Sequence, residues 1–342
     1  MRGDPKAMTK VKKHQHVVPR AYLRGWADTE DHVAVLDRGS AGPRRFSVSN
    51  SAVRKRFYNF AGADGVETDV VENWLGKHIE APVGETLKAL RAGAGIGDVN
   101  KETVINFTVA QLVRTPTVFA FMEHFDEHLG ATMLLVHAAK SGGFDLLALS
   151  DADRDRYLAV AKRAWAARRD ERDTRASKLR TMARKLDEVS TLVSSWHWSV
   201  LTSPEPILIS GDSPVVTLSP TGYDWSGLIP DGSPLWMPLS PIMLLVAEPV
   251  KPLGSQLVLS GELAEFVLSA LARQADRALF NAPGRPWPSG LVFPAQKPTL
   301  PEPRVTWSKA DGRATFPATY PPVASAVVDA LLRELGAVNT VD

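Results

Sequence analysis

Three short segments of this chain carry side chains able to do chemistry. The first is KKHQHVVPRAYLRGW, from Lys12 to Trp26. His14 and His16 alternate onto one side of any extended strand. Arg20 follows just after Pro19, so a group that moves protons near neutral pH stands close to one that binds anions. The plainer reading is a helix start in which Tyr22, Leu23 and Trp26 pack while the basic groups stay wet. The second segment is QLVRTP. Phe107, Gln111, Arg114 and Val118 form one stripe of a helix that is apolar over most of its surface. A buried Arg114 needs a carboxylate or an anionic ligand, and Glu67, Glu72 and Asp212 are candidates to supply the charge. A purely structural ion pair would meet the same need. The third is GDSPV, from Gly211. As a serine nucleophile it lacks a general base, because no histidine follows His197. An Asp–Ser–Pro turn closing a strand, with Asp212 capping its own backbone, is the simpler account.

Other signatures are absent. There is no phosphate-binding Walker loop, no HExxH, no GxSxG elbow and no kinase set. The chain has no cysteine, which removes disulfides, thiolate metal sites and cysteine nucleophiles and suits a cytoplasmic protein. Lys and Arg total 40 against 38 Asp and Glu, so any nucleic-acid contact must come from a local patch. RKRFYNF, from Arg54, is such a patch: interleaved basic and aromatic residues can grip phosphates and stack bases. More often such a run is a strand that buries Phe57 and Phe60 and leaves its charges solvated. No apolar run is long enough to cross a bilayer.

Periodicity supplies the secondary structure around these residues. HVAVLDR and RRFSVS, separated by the turn GSAGP, read as strands within an N-terminal segment over 8–66. A helical region is expected over 67–190. In it Val71, Trp74, Leu75, His78 and Ile79 recur at helical spacing, with Asp69 and Glu72 as the acidic end of a capping box. Asn100 is the N-cap of a long helix that Pro116 should break near Thr115, and Ser150 with Asp153 opens another. The stretch 191–281 is read as strand-rich up to about Ala247, with a helix from Glu262 to about Phe280 completing it. Over 282–342, ten prolines between Pro283 and Pro322 suggest an extended wrap before a last helix near Val323–Leu335. The expectation is an α+β fold, with the helical region packed on a mainly antiparallel sheet in one compact unit.

These segments, in this order, resemble the bacterial family known as domain of unknown function 4238. HVVPRAYLRGW looks like its opening block, RFYNF its aromatic block, and ETDVVENWLGKHIEAPV its acidic segment, which contributes Glu67, Glu72 and Glu80. QLVRTP, GDSPV, MPLSP and RQADRALFN complete the similarity. Gly211 and Ser213 depart from the family's usual neighbours of the aspartate. The resemblance carries no activity or cofactor. It does group His16, Arg20, Glu67, Glu72, Gln111, Arg114 and Asp212, a set suited to a hard metal or to phosphate. Two functions compete. In one, a hydrolase acts on a phosphodiester or similar anion: His16, Glu67 and Asp212 do the chemistry, and Arg20, Gln111 and Arg114 hold the substrate. Glu67, Glu72 and Asp212 would then bind Mg or Mn. In the other, the same cluster is a non-catalytic receptor for a nucleotide, RNA or protein.

Overall fold

The computed structural model describes residues 11–61, 65–143, 145–171, 174–217, 233–249, 258–259 and 261–297, with 306–307 and 314–315. In its N-terminal part β1 (His14–His16) leads through a short helix α1 (Arg20–Leu23) and a 3₁₀ turn to the hairpin of β2 (His32–Asp37) and β3 (Arg44–Ser47). Next come β4 (Val53–Lys55), which pairs antiparallel with β1, and the small ribbon of β5 (Phe60–Ala61) and β6 (Glu67–Thr68). The helical region opens with α2 (Val70–Leu75), passes through a π-helical turn at Gly76–Glu80 and continues as α3 (Ala81–Arg91).

Capping chemistry sets the longer helices. Asn100 Oδ1 accepts from Thr103 N at 3.1 Å and starts α4 (Lys101–Val113). Pro116 has no amide proton to give that helix. The chain turns at Thr115, whose Oγ1 accepts from Val118 N at 3.3 Å and starts α5 (Pro116–Gly142) at a 51° bend. Ser150 and Asp153 make the reciprocal cap of α6 (Asp151–Glu171), and α7 (Thr174–Ser194) closes the region. Asp69 differs from the expected capping box. Its carboxylate accepts from Lys12 N and from the Asn73 side chain Nδ2, not from the backbone amides of the first turn of α2.

The second half supplies β7 (His197–Thr202), β8 (Ser210–Gly211), β9 (Val216–Thr217), β10 (Leu235–Ser240) and β11 (Met243–Glu248), then α8 (Gly261–Gln274) and β12 (Ala278–Asn281). One antiparallel sheet runs β7-β11-β10-β9. Its central strands are apolar at almost every position because both faces are covered. Met243, Leu245 and Ala247 face the core shared with α3, α4 and α7, while Leu244 and Val246 face α8. A second antiparallel sheet, β3-β2-β12-β8, joins the N-terminal hairpin to β12, pairing Leu36 with Leu279. The fold is therefore α+β, with strands recruited from both ends of the described chain. The helix expected at Val323–Leu335 lies outside the described residues.

The N-terminal block is bolted to the first sheet by polar contacts in a dry interface. Tyr22, fully buried, donates from its hydroxyl to Pro238 O at 2.5 Å and meets Ser210 Oγ at 2.9 Å. Arg91 donates to the carbonyls of Leu239, Ala21 and Tyr22 at 2.7–3.0 Å. Gly25 sits where a Cβ would collide with Leu239 O and the Arg91 guanidinium, so this approach has room only for glycine. Gly25→Ala should destabilise by about 1–3 kcal/mol through overpacking. Gly84→Ala, on α3 with open space around it, should stabilise by about 0.5–1 kcal/mol. Urea denaturation of the two variants, showing opposite shifts in midpoint, checks the assignment.

Candidate functional site

Arg114 ends α4 with no exposure to solvent. Its guanidinium donates to Glu80 Oε1 at 2.8 Å. The Gln111 amide, oriented one turn before it, accepts from Nε at 3.0 Å and Nη2 at 3.1 Å. Tyr58, also fully buried, donates its hydroxyl to Arg114 O at 3.3 Å. Burial works against the charge on Arg114, but Tyr58, Glu80 and Glu72 outweigh it and hold its pKa above the ordinary value. The stripe read from sequence is thus a buried ion pair with a polar escort. Its carboxylate is Glu80, which sequence reasoning identifies only by position in the acidic segment and does not choose.

Glu72 and His16 flank this pair. Glu72 Oε2 is out of contact with water and has no hydrogen-bond partner among the described residues. Burial, reinforced by repulsion from Glu80 and offset in part by Arg114 and Lys12, pushes the Glu72 pKa up to about 7. Glu72 and Glu80 are eight residues apart, which in a regular α-helix would leave them about 80° apart around the axis. The π turn at Gly76–Glu80 is wider and advances less per residue, so it returns Glu80 towards the face of Glu72. His16 is half-buried on β1, with Nε2 3.0 Å from Ser49 O. A carbonyl can only accept, so the proton sits on Nε2 and Nδ1 is left as the base. Burial lowers the His16 pKa, helped by Arg20 and Arg114 and opposed by the Ser49 bond and Glu80. Arg20 is exposed beside it and its guanidinium has no partner among the described residues.

The other expected members are engaged elsewhere. Glu67 accepts from Asn59 Nδ2 at 3.3 Å and pairs with Arg56 at 3.3 Å, at the edge of the ribbon. Asp212 is buried in a separate polar centre. Its oxygens accept from the amides of Asp276, Arg277 and Ala278 at 2.7, 2.8 and 3.3 Å, and Arg54 stands 3.5 Å away. It therefore caps a distant segment and not its own turn. Burial and the neighbouring Asp276 raise its pKa to about 6 against the pull of those amides and Arg54. Thr117 and Ser213 bond within the same centre, and Lys297 joins Asp276 to Thr117.

The structure thus gathers His16, Arg20, Glu72, Gln111 and Arg114, and leaves Glu67 and Asp212 outside that group. This corrects the expectation that Glu67, Glu72 and Asp212 form an Mg or Mn site. Glu67 answers Arg56, Asp212 answers a set of amides, and Glu72 is turned towards the Arg114 centre. Among the described residues no group of three or more His, Asp or Glu side chains could hold a metal ion. Between Glu72 and Glu80 the positive charge is Arg114 itself.

Removing that charge should be costly. Arg114→Ala should destabilise by about 3–5 kcal/mol, since it strands Glu80 and the Gln111 amide, and Arg114→Lys should recover little of it because a point charge cannot replace three directed donors. Chemical denaturation at neutral pH measures both. Glu72 makes the opposite kind of statement. Its folded pKa lies above its unfolded one, so the native state holds the extra proton and stability is lost as pH rises from the ordinary carboxylate range through about 7. Glu72→Gln should match wild type near pH 4.5 and exceed it by about 1–2 kcal/mol at pH 8, allowing for partial exposure. Asp212 and Glu248 are raised as well, so the difference between the two proteins across pH, and not the wild-type curve alone, is the measurement.

No curated protein and no solved structure matches the chain. One family model does, over residues 14–252, and this span contains the whole Arg114 centre together with Asp212. The chain belongs to the family described as Protein of unknown function (DUF4238).

Proposed function

We propose that the chain is a hydrolase of a phosphodiester-type anion, with His16 as general base and Glu72 as general acid. The observation that carries this reading is the pairing of opposite perturbations around one buried cation. Near neutral pH His16 offers an unprotonated Nδ1 while Glu72 still holds a proton, the two states that an acid–base pair needs. His16 takes a proton from water, the water oxygen attacks phosphorus, the ester P–O bond breaks, and Glu72 gives its proton to the departing oxygen. Arg20, exposed and unpaired among the described residues, holds the non-bridging oxygens. Two carboxylates beside an anionic substrate would ordinarily repel it. Here Glu80 is neutralised by Arg114, and Glu72 is uncharged below about 7.

In this reading Arg114 occupies the place between the carboxylates that a divalent ion would take, so Mg or Mn is not required there. Turnover of bis(p-nitrophenyl) phosphate should persist in EDTA. The kcat/KM profile should rise as His16 loses its proton, below the ordinary histidine range, and fall through about pH 7 as Glu72 ionises. His16→Ala should lower kcat by about 100-fold or more. Glu72→Gln should do so for a dialkyl phosphodiester, whose leaving alkoxide needs the proton, but far less for bis(p-nitrophenyl) phosphate, whose leaving phenolate does not. Activity that appears only with added Mn would replace this mechanism by a metal-assisted one. Absence of turnover of any aryl or alkyl phosphodiester would move the cluster to the receptor role.

A further inference from the structure

The ribbon of β1 and β4 carries positive charge that the described residues do not neutralise. His14 lies opposite Lys55 in the ribbon register, both are exposed, and exposed Lys13 precedes them. None of the three side chains has an ion-pair or hydrogen-bond partner among the described residues, and the same holds for the Arg20 guanidinium beyond His16. Their neighbours are committed, Arg54 to Asp276 and Arg56 to Glu67. In a chain with nearly balanced charge, this local excess is an electrostatic footprint beside the acid–base pair.

A second feature begins where the ribbon ends. Lys12 N donates to Asp69 Oδ2 at 2.8 Å, which seats the ribbon on the start of α2. From there a groove of about 520 Å³ lies between α2 with its π turn and α7, lined by Val71, Trp74, Leu179, Met182 and Leu186. Trp74 is 43% exposed and stacks on His78, with ring centroids 5.2 Å apart and planes 27° from parallel. The groove also holds polar groups that have no partner among the described residues: the Asn106 amide, the Asp187 carboxylate and Ser190 Oγ, the last out of contact with water. An exposed indole and amide and carboxylate groups in an otherwise apolar slot suit a planar ring with hydrogen-bonding edges better than an alkyl chain.

We propose that this face binds single-stranded nucleic acid, its backbone along Lys13, Lys55 and Arg20 and one base in the groove against Trp74. These cations match the phosphates and the indole matches the base, the two elements of single-strand recognition. The inference deepens the hydrolase reading, on which the substrate role of the strand rests: the ribbon that carries Lys13 and Lys55 also carries His16. Trp74 and Glu72, two positions apart on α2, face different sides of that helix, so the base in the groove and the scissile ester belong to different nucleotides. A paired base cannot enter the groove, so duplex is the weaker ligand.

The test is fluorescence anisotropy with a labelled, unstructured oligonucleotide of about ten nucleotides and the same sequence as a duplex. The full chain carrying Glu72→Gln is used, so that binding is read without cleavage. Single strand should bind more tightly than duplex. Trp74→Ala should weaken it about 5- to 100-fold, and Lys13→Gln with Lys55→Gln should weaken it and flatten its salt dependence. Thermal melts confirm that these surface variants stay folded. Failure to saturate at low salt, or affinity unchanged by both sets of variants, overturns the proposal. So does a Trp74-dependent dimer in sedimentation, which would assign the groove to a second copy of the chain. If the oligonucleotide binds but no small diester is hydrolysed, the hydrolase reading alone falls. If diesters are hydrolysed and oligonucleotides do not bind, the nucleic-acid proposal alone falls.

Discussion

A guanidinium sealed from water has to be neutralised and hydrogen-bonded where it stands, because the interior offers no solvent to do either. Arg114 imposes that requirement on much of this structure. Gln111 answers it from one turn back on α4 and Glu80 from the end of the π turn, while Tyr58, from the segment after β4, bonds the backbone carbonyl of the same residue. Three elements that are remote in sequence are thereby tied to one point. Breaking the helix at Thr115–Pro116 is part of the same solution, since it ends α4 at Arg114 and leaves its carbonyl for Tyr58.

The same short break links the two polar centres. Arg114 looks into one, while Thr117, three residues on, bonds Gln274 O and accepts from Ser213 in the other. Gln274 in turn donates to the carbonyls of Ser213 and Val215, so the GDSPV turn is held from α8 as well as by Asp212. The second centre is occupied with protein partners: Asp212 by amides, Asp276 by Arg54 and Lys297. Its polar residues hold the end of α8 and the start of β12 against β8, a structural employment for side chains that look catalytic in isolation.

The fold was largely legible in the residues. The caps at Asn100 and Ser150 and the break that Pro116 forces at Thr115 are local events, decided by side chains within three positions of the helix start, and local events can be read in a linear string. The apolar run Ile242–Ala247 likewise suits a buried strand. The site was legible only in part. The stripe containing Gln111 and Arg114 demanded a partner, and periodicity on one helix exposed that demand. It could not say which carboxylate would meet it, because Glu80 reaches Arg114 through a π turn that shifts the helical register, and no residue in GKHIE signals such a turn. Asp212 is hard to read for a related reason. Its ligands are backbone amides more than sixty residues away, and backbone amides have no sequence signature.

The π turn has a further meaning for how this stretch can vary. Lys77 and His78 are exposed and can be exchanged without touching the buried pair. The number of residues between Glu72 and Glu80 is another matter. Deleting one lets the turn close as ordinary α-helix, and seven steps of about 100° still leave the carboxylate within about 20° of the Glu72 face. A second deletion, or an insertion, swings it by about 100° and carries it away from Arg114. The segment is thus a spacer that can lose one residue with its register kept but cannot gain one, and its exposed positions Lys77 and His78 are open to substitution while Leu75 and Ile79, buried in the core, are not.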